Sequence, residues 1–372
     1  MPLLAMSHYS LFTEDLEHVL DHTRDAWEEL RGQRIFITGG TGFFGMWLIE
    51  SFLWAKERLD LGARAVVLSR DPQAFLQKRL HLADVAALSF HQGDVRNFAF
   101  PPGTFSHVIH AATESSARLN EQSPAIMLDT IVAGTERTLD FAVACGAKKL
   151  LLTSSGAVYG RQPPEMTHIG EDYPGSPDPL APSSAYGEGK RMAELLSAIY
   201  HRQHGLDVRI ARCFAFVGPY LPLDVHFAVG NFIRDALMGG PIRVNGDGTP
   251  YRSYLYAADL AVWLWTILLR GRSCRPYNVG SDQALSILEA ARAIAQLSPN
   301  LSEVRVAKLP DLNAPAQRYV PCINRAKQEL GLDWTIPFPT ALRRTFSWYQ
   351  LMESSLWRIN SGKMGNRNVA SC

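Results

Sequence analysis

Tyr186 and Lys190 stand four residues apart in Ser184-Ala185-Tyr186-Gly187-Glu188-Gly189-Lys190, the opening of a helix that the sequence carries to about Gln203. That spacing puts both side chains on one helical face. Such a pair is common on protein surfaces and by itself signals nothing. Here it has company in Ser155, which ends the strand-like run Lys148-Lys149-Leu150-Leu151-Leu152-Thr153-Ser154-Ser155. Together the three suit reversible oxidation of an alcohol, in which a base removes the hydroxyl proton as hydride leaves and returns it in the reverse direction. Tyrosine, with a reference pKa of about 10, is too weak an acid for this in water. A neighbouring ammonium and the positive charge of an oxidised hydride acceptor both favour the phenolate. Lys190 is placed to supply the first, and Ser155 to bond the substrate oxygen and fix its aim.

The hydride acceptor needs a cradle, and the chain has one upstream. Arg34-Ile35-Phe36-Ile37 is a short apolar strand; Thr38-Gly39-Gly40-Thr41-Gly42-Phe43-Phe44-Gly45 is a glycine turn; Met46 to Leu53 has the apolar spacing of a helix packed on a sheet. Strand, glycine turn and helix in that order hold a dinucleotide, whose pyrophosphate rests on the free N–H groups at the helix N-terminus. The next strand, Ala63 to Leu68, ends in Ser69-Arg70-Asp71. An acid at this strand end holds a ribose 2′-OH, whereas an arginine meets a 2′-phosphate. Ser69 and Arg70 tilt the cofactor towards NADP; Asp71, one or two places late, keeps NAD open. A third strand, Ala87 to Phe90, runs to Asp94 and Val95, where the aspartate is a candidate for the adenine amino group. A fourth, Ser106 to Ala112, closes on small residues, Ala111 and Ala112 followed by Thr113, that let a ring lie against the backbone; its His110 is as consistent with core packing as with function. Residues 125 to 144 read as a helix burying Leu128, Ile131 and Leu139. Strand and helix alternate throughout, which predicts an α/β fold of Rossmann type: a doubly wound parallel sheet with ligands beyond the strand C-termini.

The rest of the composition narrows the setting. The 372 residues are 47% apolar and 20% charged, ordinary for a globular protein. Thirty-seven basic against 36 acidic side chains give +1, so no global field points to nucleic acid or an anionic membrane. The five cysteines form no Cys-x-x-Cys pair and there is no histidine cluster at ligand spacing, so no metal is expected. Acids early in the chain argue against a secretory signal, and Leu260 to Leu269 is too short to span a membrane. A cytoplasmic protein is expected. Residues 8 to 30 read as an amphipathic helix, with Leu16, Val19, Leu20, Trp27 and Leu30 on one stripe, packing outside the first strand.

The glycine turn, Ser155, Tyr186-x-x-x-Lys190 and Val158-Tyr159-Gly160 jointly resemble the extended short-chain dehydrogenase/reductases, specifically the NAD(P)-dependent nucleotide-sugar epimerase/dehydratase group, over residues 33 to 350. The resemblance implies a nucleoside-diphosphate sugar as substrate. It makes Arg252, in the run Asn245 to Asp259, a clamp for the diphosphate, a role the planar guanidinium also suits on physical grounds. It marks Glu114, Tyr159 and Asn278 as further substrate-binding residues. It implies a homodimer in which the helices at 125–144 and 184–203 form a four-helix bundle, and their apolar content permits this. Its 4,6-dehydratases carry an acidic pair directly after the strand-end hydroxyl, but this chain has Gly156 and Ala157 there, so elimination would need an acid such as Glu114 or Glu165. Ile131 and Ala215 replace two asparagines usual in the group. These departures put a 4-epimerase or 4-ketoreductase ahead of a 4,6-dehydratase; a catalytically silent dinucleotide sensor is the alternative of another class. The expected architecture is an N-terminal helical extension (1–32), a cofactor domain (33–215, with return strands near 254–260 and 276–280), a smaller, mostly helical substrate cap (216–253 and 284–350) and a disordered tail (361–372).

Overall fold

The computed structural model describes residues 11–113, 117–225, 227–298, 301–311 and 313–365, with the backbone alone described at 117–118 and 353–365. Alternating strands and helices open the chain: α1 (Thr13–Thr23), β1 (Arg34–Thr38), α2 (Phe43–Arg58), β2 (Arg64–Ser69), α3 (Pro72–Lys78), β3 (Leu88–Gln92), β4 (His107–His110), α4 (Ala117–Gln122), α5 (Pro124–Ala144), β5 (Lys149–Ser155), α6 (Ala185–His204) and β6 (Asp207–Cys213). Shorter pieces follow: β7 (Phe216–Val217), α7 (Ala228–Leu237), β8 (Ile242–Val244), β9 (Tyr251–Arg252), β10 (Leu255–Tyr256), α8 (Ala257–Arg270), β11 (Pro276–Val279), β12 (Leu285–Ser286), α9 (Ile287–Ala295), β13 (Val304–Val306), β14 (Arg318–Tyr319), α10 (Asn324–Leu330) and α11 (Phe338–Gly365).

Seven strands make one parallel sheet in the order β11-β6-β5-β4-β1-β2-β3. This is the doubly wound Rossmann-type sheet expected from the alternation, with the order reversing beside β1. Side chains alternate across it. Ile35 and Ile37 enter the core on the face covered by α2 and α8, while Phe36 joins Phe98, Phe105 and Phe141 on the face covered by α5 and α6. Helix α2 is buried without a break from Gly45 to Ala55, because α1 and α8 pack on the side away from the sheet. The N-terminal stripe does bury Leu16, Val19, Leu20, Trp27 and Leu30, but as α1 followed by a 3-10 turn over Arg24–Leu30, and α1 lies on α2 and α8.

Three expectations are corrected. Near 254–260 only Leu255–Tyr256 is extended, and it pairs with β7 outside the main sheet; Ala257 onward is helix, apolar on every side and buried through Leu269. The other return strand, β11, does add to the sheet edge. Leu128 is 39% exposed, since Met127 and Ile131 take the inward face of α5 and Leu128 is rotated out of it. Helix α11 runs to Gly365, into the segment expected to be disordered, and the rest of that segment lies outside the described residues. Among the described residues no helix is long and apolar enough to cross a membrane, and no group of three or more His, Cys, Asp or Glu is arranged to hold a metal ion.

Candidate active site

Ser155, Tyr186 and Lys190 converge where β5 ends and α6 begins. Two ties hold this corner. The backbone N–H of Tyr186 donates to Asn120 Oδ1 at 3.1 Å, and Ser154 Oγ donates to Glu194 Oε1 at 2.6 Å while Arg212 on β6 clamps the same carboxylate at 3.0 and 2.7 Å. Lys190 is buried, and its Nζ donates to Thr113 Oγ1 at 2.6 Å and to the Thr153 carbonyl at 2.8 Å, 6.0 Å from the centre of the Tyr186 ring. Burial pushes Lys190 down to about 8, with Cys213 and Glu194 opposing. Burial pushes Tyr186 up to about 12, against a hydrogen bond from Ser155. The protein alone therefore keeps Tyr186 as a neutral phenol. Its conversion to a base needs positive charge beyond that of Lys190.

The glycine turn fits a dinucleotide. Gly39 has φ +72°, and a Cβ there would fall 2.4 Å from the Ala111 carbonyl, so the end of β4 passes directly against the turn. At Gly45 a Cβ would fall 2.3 Å from Gly40, which brings α2 tight under the turn. Gly42 caps α2 without a side chain, so the N–H groups of Phe43, Phe44 and Gly45 are left for an anion; Thr41 and Gly42 are exposed beside them. Phe44 packs edge-on against Phe216 at 5.1 Å. Thr38 accepts from the Ala112 N–H at 3.3 Å, and His110 lies 2.8 Å from Thr38. Burial pushes His110 down to about 3, so it is a neutral core histidine. At the far end Ser69 is buried, Arg70 is exposed with no ion-pair partner among the described residues, and Asp71 is spent capping α3 through the Ala74 N–H at 2.9 Å. Asp94 is bonded by Arg96, which holds its carboxyl below the usual range, and Val95 packs on Gly134.

Other expected site residues separate. Tyr159 and Asn278 are buried behind the strand ends and bonded to each other at 2.7 Å; Arg212 donates to the same phenol, and the Asn278 amide donates to the carbonyls of Ile169 and Cys322. Their polar atoms are thus engaged by the protein and hold the wall of the site. Glu165 is exposed in its loop, and Glu114 lies outside the described residues. Arg252 is half-buried, has no ion-pair partner among the described residues, and lines a cleft of about 690 Å³ with Asn231, Phe232, Arg243, Asn245 and Pro250. One residue at the centre was missed by sequence reasoning. Tyr319 on β14 pairs with Arg252 on β9, and its hydroxyl reaches Ser155. A two-residue strand carries no periodicity, so nothing in the sequence singled it out.

A model of the NAD dependent epimerase/dehydratase family matches residues 35–280. UDP-glucuronic acid decarboxylase 6 of Arabidopsis thaliana is 33% identical over 304 residues, 80% of this chain and 83% of that protein. Among solved structures, a dTDP-glucose 4,6-dehydratase from Streptomyces venezuelae with NAD bound aligns with TM-score 0.74 and 26% identity over 86% of this chain and 98% of its own. The UDP-glucose 4-epimerase of Thermotoga maritima shares the fold, with TM-score 0.71 and 19% identity over 86% of this chain and 99% of that one. With its parallel sheet, glycine turn and Ser-Tyr-Lys corner, the chain belongs to the NAD dependent epimerase/dehydratase family of nucleotide-sugar enzymes.

Proposed function

We propose that the protein moves hydride to and from C4 of the sugar in a nucleoside-diphosphate sugar, as a 4-epimerase or a 4-ketoreductase. One observation carries this reading: Arg252, which lines the cleft of about 690 Å³, stands opposite Tyr319 across β9 and β14, and the Tyr319 hydroxyl lies at Gly156, directly after Ser155 and beside the Tyr186–Lys190 pair. The cleft suits a nucleoside, Arg252 its diphosphate, and the corner beyond it the sugar. Ser155 aims the C4 oxygen, and Tyr186 carries its proton. The bound cofactor supplies the hydride acceptor and donor. Gly39, Thr41, Gly42, Phe43, Phe44 and Gly45 would hold its pyrophosphate; Ala111, Ala112 and Thr113 would flank its nicotinamide half, and Lys190 its ribose. Asp94 and Val95 are the adenine side. NADP is favoured over NAD because Asp71 is occupied as a helix cap while Arg70 is exposed.

Gly156 and Ala157 offer no carboxylate for eliminating water, which counts against a 4,6-dehydratase. A second reading is favoured by the relative named UDP-glucuronic acid decarboxylase. Once C4 is a ketone, a carboxylate on C5 is a β-keto acid and leaves as carbon dioxide without a base to take the C5 proton. The free cysteines fit a reducing, cytoplasmic setting, and the exposed apolar side chains of α5 and α6 fit a homodimer. The division into a cofactor domain at 33–215 and a cap at 216–253 and 284–350 is supported by sheet membership: β1 to β6 share the main sheet, whereas β8, β9, β12, β13 and β14 form small separate sheets.

The test is incubation with UDP-, dTDP-, GDP- and CDP-sugars, UDP-glucuronic acid included, with and without NADPH or NADH, following nicotinamide absorbance and product mass. Unchanged mass without net cofactor use identifies an epimerase, gain of two hydrogens by a keto sugar a reductase, and loss of carbon dioxide the decarboxylase. Loss of water would replace the proposal with the dehydratase. No turnover of any sugar would leave a dinucleotide sensor.

A further inference from the structure

The geometry points to Tyr319 as a second phenol of the sugar subsite, hydrogen-bonding the substrate at or beside the carbon that exchanges hydride. The inference rests on the nucleotide-sugar reading above. Three independent placements converge on it. Strands β9 and β14 run parallel with Arg252 opposite Tyr319, so the two side chains stand together on one face of the small sheet, and the guanidinium lies 5.9 Å from the centre of the Tyr319 ring. The ring packs against Phe214, with centroids 4.6 Å apart and planes tilted by 36°, which holds the hydroxyl towards the end of β5. There it fills the space left by a missing side chain: a Cβ built on Gly156 would fall 2.7 Å from Tyr319 Oη and 2.7 Å from the edge of Phe214.

The position directly after Ser155 therefore carries no side chain of its own, and a phenol from a distant strand takes the place. Ser155 lies beside both phenols, and a negative charge on Tyr186 would push the Tyr319 pKa further up, so the two hydroxyls flank one serine. Burial pushes the Tyr319 pKa well up, so it stays protonated and acts as a donor to a sugar oxygen while Tyr186 moves the proton. The packed rings of Phe214 and Tyr319 also narrow the subsite from the Arg252 side, which makes Tyr319 a determinant of which sugars enter.

Two substitutions in the full-length protein test this, Tyr319→Phe and Gly156→Ala. Affinity for UDP and for UDP-glucose and UDP-glucuronic acid is measured by calorimetry, and hydride transfer by nicotinamide absorbance. Y319F is expected to bind UDP as wild type does, to lose the extra affinity contributed by the sugar, and to transfer hydride about tenfold or more slowly, the scale of a lost substrate hydrogen bond. G156A, whose Cβ displaces the same hydroxyl, should reproduce that pattern with Tyr319 intact. Wild-type sugar affinity and rate in Y319F would overturn the assignment of Tyr319 alone. Wild-type protein that neither binds nor turns over either nucleotide sugar would overturn this inference together with the function on which it rests.

Discussion

At the residue scale the site is a set of groups held away from water with their protons in place. Tyr186 is pushed up to about 12 and Lys190 down to about 8, both chiefly by burial. A phenol at that value does not take a proton near neutral pH, and the difference is what a positively charged cofactor must make up. Tyr186→Phe is therefore expected to leave dinucleotide binding intact and lower hydride transfer by about 10²–10⁴-fold, the range for a positioned acid–base group; stopped-flow nicotinamide absorbance against a fluorescence binding titration separates the two effects. Unchanged biological activity in that variant would remove every enzymatic reading and leave the sensor. The choice of cofactor rests on Arg70, exposed at the end of β2 beside an Asp71 committed to α3. Arg70→Ala should weaken NADPH by about tenfold or more and NADH hardly at all, since only the former has a 2′-phosphate to lose. Equal loss for both would return the preference to NAD. The turn itself tolerates no side chain: Gly39→Ala combines a φ of +72° with a Cβ 2.4 Å from the Ala111 backbone. It should cost on the order of 1–3 kcal/mol from conformation alone and should also weaken the dinucleotide as Ala111 is pushed from the cradle, both measurable by thermal melts with and without cofactor.

At the scale of elements, α5 and α6 pack on each other and keep apolar side chains outside. Met192, Leu195 and Ile199 recur at helical spacing on α6, and Ile126, Leu128 and Val143 are exposed on α5. Leu195 is 54% exposed and Ile126 52%, unusual for solvent-facing leucine and isoleucine along two adjacent helices. For the homodimer proposed above, Leu195→Glu is expected to give a monomer mass in light scattering where wild type gives a dimer; a dimeric variant would place the contacts elsewhere, and a monomeric wild type would remove the homodimer. Helices and strands of this length were legible in the sequence because their periods repeat over several turns. Leu128 shows where that stops, since a face shared by sheet and solvent differs by only one position on the helix. Ser155, Tyr186 and Lys190 were legible from residue type and spacing, and the turn from its glycines. Tyr319 was not, because a two-residue strand joined by pairing to β9 leaves no local pattern. Tyr159 and Asn278 were singled out in the sequence as substrate-binding residues, but their surroundings there say nothing about the wall of hydrogen bonds that engages them.

At the scale of the molecule the ends of the chain are tied to its middle by buried or shielded carboxylates, and these set its response to acid. Burial raises Asp259, yet His18 and Thr335 together with the N–H of Ile336 hold it below the usual range, joining α1, α8 and the segment before α11. Asp15 behaves oppositely: burial raises it despite bonds from Tyr256 and Arg344, so its cost at neutral pH is relieved as pH falls. The largest shift among these belongs to Glu329 on α10, lowered to about 2 by a two-pronged bond from Arg275 and a bond from Tyr277, which pin α10 to β11 at the edge of the sheet. A carboxylate whose folded pKa is depressed contributes stability that is present above its unfolded value, here 4.5, and is lost as pH falls towards about 2. Glu329→Gln should therefore melt below wild type at neutral pH, and the difference should shrink from pH 4.5 downward and be nearly gone by about 2. A gap in melting temperature that stays constant over that interval would mean that Glu329 holds α10 by packing alone and that its bond to Arg275 contributes nothing through charge.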